Sequence, residues 1–292
     1  MIETELPIER VRLAAQAVLD KEAEPKRVQS GSSTYVYRIL HQGETWYLRI
    51  LPEDASFEAE ALAHDLLLSS GVRVPRILYV EAQNPIVKKS VMLTSEIPGI
   101  PIDESLLCAA AVLQEAGKDL ARMNATPVDG FGWINRACPH ELRGVHASFC
   151  AYFRETLDAD MQTLAANGFD GDALYMLMAK SFTALDTKDA ALAHGDFDVS
   201  HIFHNNGAYT GIIDFGEIRG SHRLYDLGHF RLHMSDAAFC HLAVGYGKIV
   251  PLEASDFACI DKLALFVGIS RGKYAHYQNL LRRQLKRMGL QA

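Results

Sequence analysis

The sequence predicts an α+β fold in which a small, mainly antiparallel β-sheet precedes a larger, mainly helical part. Two observations support this prediction. β-Branched and aromatic residues dominate several short runs before residue 97, whereas apolar residues at helical spacing dominate after residue 98. The segment Pro98-Gly99-Ile100-Pro101 separates the two kinds of sequence and predicts a boundary between residues 1–97 and 98–292. We expect a ligand to bind between the two parts.

In the first part, apolar residues at helical spacing predict helices over residues 5–20 and 55–69. Runs rich in β-favouring residues predict four strands, over 34–40, 45–51, 76–81 and 86–96. The first two strands are joined by His41-Gln42-Gly43-Glu44, which is typical of a hairpin connection.

In the second part, the spacing of apolar residues predicts six helices with polar outer faces. They cover residues 104–124, 147–167, 172–186, 222–233, 236–247 and 255–288. A short hairpin interrupts them, because β-favouring residues at 201–204 and 209–214 flank the turn Asn205-Asn206-Gly207.

Composition narrows the classes of function. The 292 residues are 49% hydrophobic and 22% charged, which is ordinary for a globular protein. The apolar run Leu263–Ile269 is too short to cross a bilayer, and the acidic N-terminus lacks the features of a signal peptide. Five cysteines without a CxxC pair indicate reduced thiols, so we expect a cytoplasmic protein without disulfides or a zinc cluster. The net charge of −7 argues against nucleic-acid binding and permits a cationic substrate.

Two carboxylates flank the predicted hairpin. Asp196 lies in His194-Gly195-Asp196 before its first strand, and Asp214 lies in Asp214-Phe215-Gly216 after its second strand. Because these two ends of a hairpin lie close in space, we expect the acids to share one cleft. One carboxylate can accept the proton of an attacking hydroxyl, and the other can hold a divalent ion on nucleotide phosphates. Taken alone, the first fragment is better explained as a loop cap and the second as a strand end, and only their occurrence together in this order favours a functional site.

These residues resemble the aminoglycoside phosphotransferase family, the small-molecule kinases of the protein-kinase-like two-lobe fold. The resemblance implies that Asp196 is catalytic and that Asp214 binds Mg²⁺. It also implies a second metal ligand at residue 201, where the family carries Asn and this sequence carries His201. An imidazole suits Mn²⁺ and other transition ions better than an amide oxygen does, so Mn²⁺ is the alternative ion.

The resemblance extends into the first part, where it implies a nucleotide-binding lobe. Arg49 matches a strand cation that grips the phosphates, and Glu60, rather than Glu58, is the expected partner of Arg49. The small residues Gly31, Ser32 and Ser33 would let backbone amides approach the phosphates. The segment near 94–98 resembles the family hinge, in which backbone groups of Ser95 and Ile97 would bind the base.

Three further residues match the family in roles that we expect to be structural. Asp226 would accept hydrogen bonds that hold the catalytic loop in shape, and His194 would brace this loop. Gly195 would serve the conformation of the backbone.

The resemblance implies an ATP- or GTP-dependent O-phosphotransferase whose acceptor is a small-molecule hydroxyl, in a monomer or homodimer. An aminoglycoside-type antibiotic is the first expectation for the acceptor, with Glu217, Glu155 and Asp158 as candidate contacts of its amines. A macrolide or a metabolite alcohol such as choline, homoserine or a sugar is the alternative.

Two other classes of function stay open. One is a kinase-like nucleotide-binding protein without catalysis, because His201 and Arg49 depart from the family pattern. The other is a metal-dependent hydrolase built on five residues: His194, Asp196, His201, His204 and Asp214.

Overall fold

A computed structural model of the protein describes residues 6–20, 22–28, 34–185 and 187–290. Antiparallel sheet and helix are both present, as the α+β prediction requires. Within the described residues, no helix has both the length and the apolar character needed to span a membrane. The five cysteines, all of which are described, form no disulfide.

The first sheet has five strands in the order β1-β2-β3-β5-β4, and every neighbouring pair is antiparallel. Its strands β1 to β5 are Lys26–Arg27, Tyr35–His41, Glu44–Ile50, Ile77–Glu81 and Val91–Ser95. Two helices accompany the sheet, α1 at Ile8–Leu19 and α2 at Glu58–Ser69. The β2–β3 turn consists of Gln42 and Gly43, whose φ angles of 54° and 82° give it the twist that suits a two-residue hairpin.

Seven helices follow the first sheet among the described residues. They are α3 to α9, at Ala109–Met123, Phe149–Ala166, Gly171–Leu185, Tyr225–His233, Asp236–Gly247, Ala254–Ser270 and Ala275–Arg287. Each predicted helical segment overlaps one of these helices, except the last segment, which overlaps two.

The single helix predicted over 255–288 is wrong. The chain leaves the helix after Ser270, passes Arg271 and Gly272, and begins α9 at Ala275. At Gly272 the chain runs close to α4, where an added Cβ atom would lie 2.6 Å from the side chain of Leu164. The apolar spacing continues across the break, which is why it predicted one helix.

Eight short strands lie among these helices. They are β6 to β13, at Ile100–Pro101, Pro127–Val128, Phe131–Ile134, Gly144–His146, Ala190–Ala193, Ile202–Asn205, Ala208–Ile212 and Arg219–Ser221. Strands β11 and β12 form the predicted hairpin, and β6 extends it to three strands. The other five strands form a second sheet, which was not predicted. Strands of two to four residues are too short to show a periodic pattern.

The main hydrophobic core joins the helical part to α2. Ala59, Ala63 and Leu67 of α2 belong to the same buried cluster as Leu113 and Leu120 of α3. A separate cluster lies between α1 and the first sheet. Helix α2 therefore packs on both parts of the chain, and the boundary at residue 97 stays a prediction.

Candidate active site

The loop that precedes β11 is held by a buried carboxylate. Asp226, at the start of α6, has no exposed surface. Its Oδ2 accepts a hydrogen bond from the backbone N–H of His194, and its Oδ1 accepts one from that of Gly195, both at 2.9 Å. Asn124 donates a third bond to Oδ2 at 3.0 Å. The structural role predicted for Asp226 is confirmed.

His194 links this loop to the end of β12. Its Nδ1 accepts a bond from the backbone N–H of Asp196, so Nε2 carries the ring proton and donates it to the carbonyl of Ile213 at 2.9 Å. Burial lowers the pKa of His194 below its usual range, which keeps the ring neutral. The predicted bracing role of His194 is confirmed.

Gly195 allows a close approach that no other residue could make. Its φ is +87°, and an added Cβ would lie 2.0 Å from the carbonyl oxygen of Glu217. The loop that carries Asp196 and the loop that follows Asp214 therefore contact each other through backbone atoms.

The carboxylate of Asp196 contacts two basic side chains that the sequence analysis missed. Its Oδ1 lies 2.8 Å from Nη1 of Arg271 and 3.2 Å from Nε2 of His229. Burial raises the pKa of the Asp196 carboxyl, but the hydrogen bond and charge of His229 and the charge of Arg271 outweigh burial and hold this pKa well below its usual range. Asp196 is therefore ionised, and its side chain is 32% exposed.

Only one weak signal in the sequence pointed to these partners. His229 follows Asp226 by three residues, so the two share one face of a helix. Arg271 is 75 residues away from Asp196 and lies in the break between α8 and α9, which sequence spacing did not reveal.

His201 lies between the two aspartates. Its Nδ1 is 2.7 Å from the backbone carbonyl of Asp196, which can only accept, so Nδ1 carries a proton. In the neutral ring, Nε2 then presents its lone pair, and it lies 3.7 Å from Oδ2 of Asp214. Both aspartates thus lie beside the same imidazole ring, one through its backbone and one through its side chain.

Asp214 and His201 form a donor pair that suits a divalent ion. The Asp214 side chain is 49% exposed, and its backbone is left-handed, with a φ of 67°. Such a conformation costs a non-glycine residue roughly 1–2 kcal/mol and is frequent at functional sites. Across the described residues, no group of three or more His, Cys, Asp and Glu side chains could hold a metal. An ion here would therefore need ligands other than a third His, Cys, Asp or Glu side chain of the described residues.

Arg49 on β3 is ion-paired with Glu60 on α2, and the pair excludes the alternative partner Glu58. Glu60 is 3% exposed and Arg49 is 11% exposed. The ion pair fixes a guanidinium at the inner surface of the first sheet. His64, one turn after Glu60, lies 3.9 Å from the same carboxylate oxygen.

A cavity of about 280 Å³ lies between the first sheet and the β11–β12 hairpin. Arg49, Ser95, Ile97 and Asp214 line it, together with apolar residues such as Val36 and Phe203. The cavity thus brings together three residues that were predicted for the nucleotide site and Asp214, which was predicted as a metal ligand. Gly31, Ser32 and Ser33 lie outside the described residues.

A larger cavity of about 590 Å³ adjoins the first, and Thr34 and Arg49 line both. Its other walls include Trp133, Arg136 and Glu217. Glu217 accepts hydrogen bonds from Arg219 at 2.9 Å and from Arg271 at 3.1 Å. Arg271 also donates a hydrogen bond to Asp196. Glu217 therefore connects the larger cavity to the carboxylate of Asp196.

The other predicted substrate contacts lie away from these walls. Glu155 is bonded to His146 at 3.0 Å on the surface of α4, and Asp158 is exposed on the same helix. Neither residue is among the described residues that line the two cavities.

Residues 24–249 match the sequence model of APH, the phosphotransferase enzyme family. This chain belongs to that family. No curated protein sequence matches the chain.

Solved structures share the fold. Aminoglycoside phosphotransferase APH(4)-Ia is 13% identical, with a TM-score of 0.71 over 96% of this chain and 99% of that one. A thermostable mutant of the same enzyme was solved with ADP and hygromycin B, and it is 14% identical, with a TM-score of 0.70 over 94% of this chain and 98% of that one. A putative fructosamine-3-kinase from Thermobifida fusca YX-ER1 is 20% identical, with a TM-score of 0.69 over 96% and 98%.

The protein-kinase-like fold and the resemblance to this family are therefore confirmed. As a member of the phosphotransferase enzyme family, the protein is a phosphotransferase, which removes the metal-dependent hydrolase as an alternative.

Proposed function

We propose that this phosphotransferase moves the γ-phosphoryl group of ATP or GTP to a hydroxyl of a small molecule held in the larger cavity. The observation that carries the proposal is the position of Arg49, which lines both cavities and is fixed there by Glu60. A cation at this junction would bind phosphates of a nucleotide whose base lies in the smaller cavity, near Ser95 and Ile97. The complex of APH(4)-Ia with ADP supports nucleotide use.

Asp214 and His201 would hold the divalent ion, Mg²⁺ or Mn²⁺. When bound, the ion would neutralise charge on the phosphates. The fit rests on the proton carried by His201 Nδ1, which leaves Nε2 facing Asp214.

Asp196 would orient the acceptor hydroxyl and receive its proton. Its carboxylate is ionised and one-third exposed, and its partner Arg271 also contacts Glu217 at the larger cavity. In a loose phosphoryl-transfer transition state, positioning contributes more than base strength, so a weak base suffices.

The first candidate acceptor is an aminoglycoside-type antibiotic. The complex of APH(4)-Ia with hygromycin B supports this candidate through the shared fold. Glu217 is the predicted amine contact that lines the larger cavity.

A second candidate acceptor is a sugar-like alcohol of low net charge, and the ion pairs of the larger cavity favour it. The three carboxylates among its described walls are each paired with arginine: Glu53 with Arg136, Glu60 with Arg49, and Glu217 with Arg219 and Arg271. A polycation would have to compete with these arginines. Trp133, which is 44% exposed, offers apolar surface instead.

The test has two stages. Nucleotide binding is measured by calorimetry with Mg²⁺ or Mn²⁺, in the wild type and in Arg49→Ala. Arg38→Ala, an exposed arginine on the adjacent strand, is the matched control. We expect Arg49→Ala to lose affinity and Arg38→Ala to keep it. Equal affinity in all three proteins would contradict the proposed role of Arg49.

The second stage measures phosphate transfer to a panel of aminoglycosides, glycated amines and neutral sugars, with the products identified by mass spectrometry. Transfer to neutral sugars or singly charged sugar amines in preference to aminoglycosides would support the second candidate. Preference for aminoglycosides would support the first, and transfer to none of the three classes would contradict both.

A further inference from the structure

The buried ring of His229 faces an oxygen atom at each of its nitrogens. Nδ1 lies 3.0 Å from the backbone carbonyl of Phe197, and Nε2 lies 3.2 Å from Oδ1 of Asp196. The side chain is fully buried, so no water molecule can form a hydrogen bond with either ring nitrogen. A carbonyl oxygen only accepts hydrogen bonds, and so does an ionised carboxylate. Nδ1 therefore donates to the carbonyl of Phe197, whereas Nε2 faces the negatively charged Oδ1 of Asp196 at an ion-pair distance but without hydrogen-bond geometry.

The groups around His229 are consistent with a positive charge on its ring. His233, one turn further along α6, stacks on the ring with centroids 4.2 Å apart. Burial and the charge of His229 lower the pKa of His233 to about 3, so His233 stays neutral. The negative charges of Asp196 and Asp198 favour a positive charge on the His229 ring, whereas the positive charge of Arg271 disfavours it.

Arg271 fixes the same carboxylate oxygen from the other side. Its Nη1 donates to Oδ1 of Asp196 at 2.8 Å and to the hydroxyl of Tyr277 at 2.7 Å. Its Nη2 donates to the carbonyl of Gly195 and to Glu217, both at 3.1 Å. With four acceptors, the guanidinium has little freedom to turn.

We propose that His229, as an imidazolium, is a positioning residue that acts with Arg271 to hold Oδ1 of Asp196 and leave Oδ2 for the acceptor hydroxyl. This inference rests on the proposed phosphotransfer. The hydroxyl oxygen forms a bond to the γ-phosphorus while the bond to the bridging oxygen breaks, and the nucleoside diphosphate leaves with that electron pair. The hydroxyl proton passes to Oδ2 of Asp196 and from there to water. Two cations on Oδ1 make Asp196 a weak base, so the proton moves late.

The charge on His229 is tested directly by ¹⁵N NMR of histidine-labelled protein. The wild type is expected to show one buried histidine with protons on both nitrogens at neutral pH. In Asp196→Asn, that ring should lose one proton, because the neutral amide no longer stabilises the charge. A ring with a single proton in the wild type, or one that is unchanged by Asp196→Asn, would overturn the proposal. This readout needs neither substrate nor turnover.

The positioning role is tested with His229→Gln, which keeps a donor but cannot carry charge. We expect kcat to fall roughly 10–100-fold, the cost of a misplaced reacting group, with the KM for nucleotide unchanged. His241→Gln, on α7, is the control and should keep its kcat. If His229→Gln keeps the kcat of the wild type, the role is refuted. If it does not fold, the NMR result decides.

The two proposals fail in different ways. If the wild type transfers no phosphate although His229 is an imidazolium, the proposed function fails. If transfer occurs and the ring carries one proton, only the inference about His229 fails.

Discussion

Replacing Asp226 by Asn removes one acceptor from the buried carboxylate of α6 that holds the loop of Asp196. The substitution keeps the shape of the side chain but converts one oxygen into an NH₂ group. If the NH₂ group replaces Oδ1, it faces the N–H of Gly195, which now lies 2.9 Å from its acceptor. A buried donor left without a partner costs about 1–3 kcal/mol, and the two remaining bonds lose the contribution of charge. We expect a total loss of roughly 2–4 kcal/mol in the free energy of unfolding.

The assay is thermal unfolding followed by circular dichroism. For a protein of this size, the expected loss lowers the midpoint by about 5–10 °C. The control is Asp236→Asn, whose carboxylate is 69% exposed and pairs with Arg231 and Arg287. An exposed ion pair contributes about 0–1 kcal/mol to the free energy of unfolding, so the thermal midpoint of this control should hardly change. Equal midpoints for Asp226→Asn and the wild type would refute this account of the loop.

Three further predictions concern the loop, the ion pair and pH. Gly195→Ala should lower the free energy of unfolding, measured with denaturant, by at least ~2 kcal/mol and abolish turnover, because the added Cβ would overlap a carbonyl oxygen. Its control is Gly71→Ala, where φ is +77° but the space around the residue is open, so this variant should lose less stability and keep its activity. Glu60→Gln should weaken nucleotide binding about tenfold (~1.4 kcal/mol) in calorimetry by releasing Arg49, whereas Glu58→Gln should leave it unchanged; equal affinities would contradict a role for the pair. Burial, and next the charge of Arg223, lower the pKa of His222 to about 4 in the folded protein, against 6.5 ordinarily. The unfolded chain therefore binds this proton first, so stability is full above about pH 6.5 and falls by ~1.4 kcal/mol per pH unit down to about pH 4. In chemical unfolding, His222→Gln should show a shallower fall, and an unchanged slope would contradict the assignment.

Features with a local cause could be predicted from the sequence. The β11–β12 hairpin follows from its turn, in which Asn206 and Gly207 adopt φ angles of 49° and 81°. The long helices follow from apolar spacing, with ends that differ by up to five residues. The second sheet could not be predicted, because its short strands are held by partners far along the chain, such as β10 by β13.

The same division applies to the site. Asp226 and His194 each bond through the side chain to backbone groups, and the resemblance predicted both of these structural roles correctly. The basic partners of Asp196 depend on tertiary structure. Arg271 is the first residue after α8 and bonds to Asp196 across 75 residues of sequence, and nothing local marks it as part of the site.

The role of Asp196 is tested most directly by phosphate transfer in Asp196→Asn, measured with nucleotide and the best acceptor of the panel. This variant lacks the carboxylate that we propose as the acceptor of the hydroxyl proton, while Arg49, Asp214 and His201 are untouched. We expect turnover to fall at least about 100-fold with nucleotide affinity unchanged, and Asp158→Asn, on the exposed face of α4, to behave as the wild type. Near-normal turnover in Asp196→Asn would contradict the proposed mechanism.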